Sequence, residues 1–207
     1  MPDPTTASDS PATPTWTNIK AGTNTTSFIS AIAVAPGNSD VIWVGHNNGD
    51  VYYTTNGTAG SPAWTRADLG TPNLPNRFCE RIAITPGDSK RVYVSFGGFN
   101  SDNVWRTTNS GVNWSNITAN LPAAPVNSIV IAPTDTNTLY VGTEVGVFGT
   151  TNSGVNWSTG NDGPANVSVE QLFWLGNKLV AVTHGRGMFS TAPLLGGPNL
   201  AAAGAVV

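Results

Sequence analysis

Apolar residues recur in short runs that alternate with small or polar residues along nearly the whole chain. The runs 29–35 and 41–45 are rich in β-branched and aromatic residues, as is typical of strands. Each run ends at a cluster of turn residues such as Pro36-Gly37-Asn38. The chain has no stretch with the 3.6-residue period of an amphipathic helix. The pattern therefore predicts an all-β protein built from many short strands.

The strand pattern repeats, and each repeat contains a short polar turn followed by tryptophan. The segment 107–114 reads TTNSGVNW and returns at 150–157 almost unchanged, and a looser copy with a longer insert covers 54–65. Such periodicity indicates a repeat architecture. We predict four four-stranded antiparallel blades, at about 29–69, 79–118, 126–160 and 167–193, arranged radially as a β-propeller.

The two ends of the repeat region suggest how the propeller closes. The last repeat stops after three strands, whereas Trp16-Thr17-Asn18-Ile19 resembles Trp114-Ser115-Asn116-Ile117 of a fourth strand. We predict that residues 15–20 close the last blade as its N-terminal strand, giving a monomeric closed ring. The alternative is a homodimeric eight-blade ring. Residues 1–14 are expected to be a linker, and residues 194–207 a tail or the start of a following module.

Composition narrows the possible partners and the location. Charged residues are 10% of the chain and its net charge is −3 without clustered Lys or Arg, so no nucleic-acid partner is expected. No apolar run is long enough for a membrane span. The single Cys79 excludes an internal disulfide. A signal peptide is missing at the start, but the lysine-poor, Asn/Thr-rich composition predicts a piece of a secreted bacterial protein.

The repeated turn resembles the Asp-box of BNR-repeat propellers, such as those of sialidases, xyloglucanases and sortilin-like receptors. This chain has Asn where that family usually has Asp. The resemblance implies a structural hairpin in which the Asn side chain caps backbone N–H groups, Gly takes a positive φ and Trp plugs the core. The corresponding residues are Asn56, Asn109, Gly111, Trp114, Asn152, Gly154 and Trp157.

Ligand-binding residues are expected on the face that carries the hairpins between the second and third strands. Propellers usually bind ligands there. A closed ring would make the first and last blades neighbours and allow His46 and His184 to approach each other, although packing at the turns or strand ends is the favoured interpretation of both. The candidates are His46, Asp50, Asp102, Glu144, His184 and Arg186. Two histidines without a carboxylate cluster do not make a metal site, so we expect no metal and no cofactor.

These residues favour a non-catalytic extracellular module that binds glycan or a protein partner. A glycoside hydrolase needs two carboxylates across the scissile bond, and the sequence alone does not bring such a pair together. A fragment of a xyloglucanase- or sialidase-like hydrolase is the alternative function. A purely structural spacer or self-assembling propeller is the second alternative.

Overall fold

The chain folds into four antiparallel sheets of three or four strands each. A computed structural model describes residues 15–22, 26–159, 163–164 and 166–192. Within these ranges every regular element is a strand, and no helix is long and apolar enough to cross a membrane. The linker and tail predicted at 1–14 and 194–207 lie outside the described residues.

The first two sheets have four strands each, joined in chain order. The strands of the first sheet are β1 (Ile29–Ala35), β2 (Asn38–His46), β3 (Val51–Thr54) and β4 (Thr65–Arg66). Those of the second sheet are β5 (Cys79–Thr85), β6 (Asp88–Phe96), β7 (Val104–Thr107) and β8 (Ser115–Asn116). Each is a meander of hairpins, as the repeat pattern predicts.

The other two sheets have three strands each, so the prediction of four strands per blade is wrong for them. The third sheet contains β9 (Val126–Ile131), β10 (Leu139–Thr143) and β11 (Gly146–Thr150). The fourth contains β12 (Val169–Leu175), β13 (Lys178–Thr183) and β14 (Gly187–Thr191). In the third sheet, Ser158 N donates to Gly149 O (2.8 Å) while Ser158 Oγ accepts from Gly149 N (3.1 Å). A side chain thus replaces one backbone group where a fourth strand would lie.

Residues 15–20 do not extend the fourth sheet. The described part of this segment has no strand structure and lies against the first sheet instead. There Ile19 O accepts a hydrogen bond from Trp64 Nε1 (2.8 Å), and Lys20 Nζ lies 4.3 Å from the ring centroid of Tyr52. The predicted pairing with the last blade is therefore not present, and the contacts of this segment are to aromatic side chains of the first sheet.

Three apolar cores lie between consecutive sheets. Alternation along each strand gives every sheet two faces. In the second and third sheets one face packs against the preceding sheet and the other against the following one. Trp43 and Val51 of the first sheet meet Ile82 and Val94 of the second. The cores between the second and third and between the third and fourth sheets are built in the same way. The sheets are therefore stacked side by side through β1, β5, β9 and β12.

The polar turn that identifies each repeat is held by its own side chains. Asn109 Oδ1 accepts from Asn113 N (2.9 Å), and Thr107 Oγ1 accepts from Gly111 N (2.9 Å). Gly111 has a φ of 83°, and a Cβ there would lie 2.7 Å from the Cβ of Ala67. Only glycine satisfies both the dihedral and the close contact. Trp114 then lies buried below the turn and donates through Nε1 to Ala67 O (2.9 Å).

Candidate functional site

The strands β1, β5, β9 and β12, through which the sheets are stacked, are the innermost strands of the four sheets. A β-bulge near the start of each of them places one side chain outside the hydrogen-bonded ladder. In all four sheets the pairing register skips the second residue of the strand. A bulged residue loses its cross-strand partner, and its side chain is re-aimed. The four bulged residues are Ser30, Glu80, Asn127 and Glu170. All four are polar, although the strands around them are largely apolar.

The bulged side chains follow one another along the inner edge of the stacked sheets. Ser30 Oγ donates to Cys79 O (2.7 Å), the carbonyl directly before the next bulge. Asn127 Nδ2 lies 3.3 Å from Val169 O, which directly precedes the bulge at Glu170. Each of these side chains thus reaches the innermost strand of the following sheet. The repeat therefore places polar groups at one level along the edge.

Three carboxylates and a histidine gather at this level. Glu144 Oε1 accepts from Asn127 Nδ2 (3.4 Å), and Glu170 Oε1 lies 3.6 Å from His184 Nδ1. We call Glu80, Asn127, Glu144, Glu170 and His184 the inner-edge cluster. Glu144 and His184 were predicted from the sequence, whereas Glu80, Asn127 and Glu170 were not. The sequence signal that could have identified them is the polar residue at the second position of each innermost strand.

Glu80 is the member of the cluster with a perturbed acidity. Burial raises the pKa of its carboxyl, the neighbouring Arg81 guanidinium opposes this, and the charges of Glu170 and Glu144 raise the pKa further. The buried Nε of Arg81 has no hydrogen-bond partner within the described ranges. The three glutamates therefore share one electrostatic environment, and Glu80 holds its proton more tightly than an exposed glutamate does.

The other predicted site residues on the first two sheets are tied into local ion pairs. Arg66 Nη2 bonds to Asp50 (2.6 Å) and to Asp68 (2.9 Å), and Asp68 Oδ1 also accepts from Val51 N (3.0 Å). Asp102 pairs with Arg77 (2.8 Å) in the same manner. The two networks link the β2–β3 and β6–β7 hairpins, which carry Asp50 and Asp102, to the connections after β4 and before β5.

The two histidines lie in different surroundings and are not brought together. His46 is buried, with Nδ1 at 2.8 Å from Ser27 Oγ and its ring edge-on to Tyr52. Burial lowers the pKa of His46, and the charge of Lys20 adds to this effect. His184 is exposed beside Glu170. His46 thus packs within the first sheet, and the described residues show no contact between the two histidines.

Arg186 lies at the tip of the exposed β13–β14 hairpin, which Thr183 Oγ1 closes by donating to Gly187 O (2.7 Å). Arg186 is therefore on the same sheet as Glu170 and His184. The described residues contain no group of three or more His, Cys, Asp or Glu side chains able to hold a metal ion.

Exposed aromatic rings lie beside the inner-edge cluster. Phe28 and Phe78 each precede a bulged residue by two positions, and their ring centroids are 6.2 Å apart in an edge-to-face arrangement. They remain 59% and 39% exposed. Phe99, on the β6–β7 loop, is 76% exposed. The Glu80 carboxylate and the Phe78 side chain both lie beside Gly97. A Cβ on Gly97 would be 2.6 Å from Glu80 Oε1 and 3.8 Å from Phe78 Cβ.

Solved structures show the fold to which this arrangement belongs. An ancestral GH74 enzyme is 25% identical, with a TM-score of 0.57, and the match covers 75% of this chain and 22% of that chain. The GH74 xyloglucanase from Xanthomonas campestris is 13% identical, with a TM-score of 0.58, and the match covers 79% and 29%. The extracellular domain of a hybrid two-component system from B. thetaiotaomicron is 23% identical, with a TM-score of 0.59, and the match covers 78% and 20%.

No protein-family model and no curated protein matches the chain. The chain spans less than a third of each of these three structures. Their likeness, together with the stacked antiparallel sheets, shows that this chain has a β-propeller fold.

Proposed function

We propose that this chain is a non-catalytic extracellular module that binds glycan through the face that carries its inner-edge cluster. The observation that carries the proposal is the exposed pair Phe28 and Phe78 directly beside Glu80. Ligand sites combine apolar or aromatic surface with a few polar groups that fix orientation. Here the rings offer flat apolar surface to a sugar, and the carboxylates and Asn127 offer hydrogen bonds to its hydroxyl groups.

An extracellular location agrees with the neighbours, which include an extracellular domain and glycoside hydrolase-type enzymes. We also propose that the repeated turns are Asp-boxes of the BNR type, with Asn109 and its counterparts in place of the usual aspartate. Their hydrogen bonds are made within the turn, and this supports a structural role rather than a ligand site.

The proposal is tested by titrating the purified chain with a panel of plant, microbial and animal glycans that includes xyloglucan. For a glycan that binds, Phe78→Ala and Glu144→Ala should each weaken binding by about tenfold or more, which corresponds to about 1.4 kcal/mol. Val112→Ser is the control, because Val112 is also an exposed apolar residue (65%) but lies on a polar turn away from the cluster. Unchanged affinity in Phe78→Ala would contradict the proposed site.

Absence of binding across the panel would favour the alternatives of a protein-binding scaffold or a structural spacer. In that case a protein partner would have to cover the exposed rings, since apolar groups that cluster on a surface mark interaction sites. Chemical cross-linking with and without Phe78→Ala would distinguish a partner at this surface from a spacer role.

Glycoside hydrolysis is the second candidate function, and one observation favours it. Burial raises the pKa of Glu80, which lies in one cluster with Glu170 and Glu144, and acid–base hydrolysis requires a carboxylic acid together with a second carboxylate. Incubation with a bound oligosaccharide, followed by an assay of new reducing ends, tests it. Products that disappear in Glu80→Gln while binding persists would replace the non-catalytic proposal, whereas binding without products would support it.

A further inference from the structure

The two outermost faces of the stack are built like the internal faces. The positions that dock each sheet onto the one before it hold large apolar residues throughout. In the second sheet Ile82 and Ile84 are 4% and 5% exposed, because the first sheet covers them. The register places Ile32 and Val34 at the same positions of the first sheet, where they are 62% and 51% exposed. The first sheet thus carries a docking face without a preceding sheet.

The outer side of the fourth sheet carries the other type of face, the one that packs onto a following sheet. In the third sheet, Val130 and Val147 lie on the face that packs onto the following sheet. The corresponding positions in the fourth sheet are Phe173 and Met188. Met188 is 68% exposed and Phe173 is half-buried. The outer face of the fourth sheet is therefore of the type that receives a docking face like that of the first sheet.

A repeated tryptophan hydrogen bond shows which residues take the place of a sheet before the first one. Trp114 Nε1 donates to Ala67 O (2.9 Å), and Trp157 Nε1 donates to Ile117 O (2.8 Å). In both cases the acceptor lies three residues after the tryptophan of the preceding repeat. Trp64 Nε1 makes the same bond to Ile19 O (2.8 Å), and Ile19 lies three residues after Trp16. Residues 16–19 therefore occupy the place of the last strand of a preceding sheet.

The fourth sheet of the same chain does not supply the rest of that sheet. Its strand order ends at β14, and the described residues place no strand along the outer edge of β14. The extensive packing contacts between sheets join consecutive sheets only. A ring that closed within one chain would pair residues 16–19 with β14, and the described residues show no such pairing.

We propose that two copies of this chain pair head to tail in both directions and close an eight-sheet ring. The outer face of each fourth sheet packs on the outer face of the partner's first sheet. Residues 16–19 of each copy then lie beside β14 of the other and complete its sheet. Trp16, which is 92% exposed here, becomes covered by the partner just as Trp114 is covered within the chain. The ring has twofold symmetry, so it closes without open edges.

The pairing is tested by sedimentation equilibrium of the full chain, whose single-copy mass is 21.4 kDa. We expect twice that mass, with a concentration-dependent loss on dilution. Ile32→Asp and Met188→Asp, on opposite faces, should each reduce the mass to one copy, since each places an unpaired charge in the interface. Val112→Asp is the control and should keep the double mass. Circular dichroism confirms that each variant is folded.

Two outcomes would overturn the proposal. One is a single-copy mass for the folded wild-type chain at all concentrations, as a ring closed within one chain would give. The other is a double mass that survives Met188→Asp but not Ile32→Asp, which would show that two first sheets face each other. Because glycan binding is measured separately on the same chain, failure of the pairing and failure of the proposed function are distinguishable.

Discussion

Replacement of Asn109 by alanine measures what the repeated polar turn contributes to stability. Asn109 Oδ1 accepts from Thr107 Oγ1 (3.0 Å) and from Asn113 N (2.9 Å), while Asn109 Nδ2 donates to Asn113 Oδ1 (2.9 Å). Thr107 is buried, whereas Asn113 is exposed. Alanine leaves the Thr107 hydroxyl without an acceptor inside the protein, but water replaces the two bonds to Asn113.

The expected loss follows from this difference in burial. An unsatisfied buried hydroxyl costs about 1–3 kcal/mol, and each exposed bond contributes about 0.5 kcal/mol. The free energy of unfolding should therefore fall by roughly 2–4 kcal/mol, which lowers Tm by about 4–16 °C in a chain of this size. Asn109→Asp keeps the accepting oxygen and lets the Asn113 amide turn, so its change should stay within about 0.5 kcal/mol.

Urea unfolding at one protein concentration provides the measurement, with Val112→Ser as a control at the exposed apex of the same turn. Thr107 Oγ1 also accepts from Asn109 N (3.2 Å), a backbone bond that does not depend on the Asn109 side chain. A double-mutant cycle with Thr107→Val subtracts this bond and isolates the interaction between the Thr107 hydroxyl and the Asn109 amide. If Asn109→Ala changed the unfolding free energy by less than about 0.5 kcal/mol, the turn would be held by its backbone and the reasoning would fail. Equal losses in Asn109→Ala and Asn109→Asp would refute the role of the oxygen.

Two further predictions concern the inner edge of the first two sheets. Burial and like charge raise the pKa of Glu80 in the folded state, so its contribution to stability is complete below the unfolded pKa and is lost as pH rises through the folded pKa. Glu80→Gln should therefore raise Tm at neutral pH and leave it unchanged near about pH 4; an equal shift at both pH values would contradict this. Gly45→Ala should destabilise the chain by more than about 1 kcal/mol, because the new Cβ would lie 2.2 Å from Cys79 Sγ. Cys79→Ala should restore part of the loss, and Gly60→Ala, with no atom within 4 Å, should have little effect in the same urea assay.

The repeat made the local architecture predictable. Strand type and order follow from alternation and turn residues, since the run 29–35 and its counterparts all have the same apolar positions. Ring closure was not predictable in this way, because Trp16–Ile19 has the sequence of a fourth strand wherever its partner sheet lies. The sequence identifies what kind of neighbour this segment needs, whereas the structure shows on which sheet it rests.

The candidate site was predicted only in part, for a different reason. Glu144 and His184 lie on hairpins, where chain direction alone places them on the correct face. Glu80 and Glu170 lie inside strands, where sequence alternation predicts only an ordinary solvent-facing side chain. The bulge that re-aims the side chain is visible only in the structure. Asp50 shows the converse case. It lies on the β2–β3 hairpin as expected, but Arg66 binds it together with Asp68 in a local network that no single repeat predicts.

The bulges have a consequence for how such a propeller could diversify. A residue that is outside both the ladder and the apolar cores can be exchanged with little effect on folding, so stability and recognition are encoded at separate positions. Ser30, Glu80, Asn127 and Glu170 already differ in size, charge and hydrogen-bonding capacity while their sheets keep one design. Under the proposed function, a new binding specificity therefore requires substitution at these four bulged positions rather than a new fold.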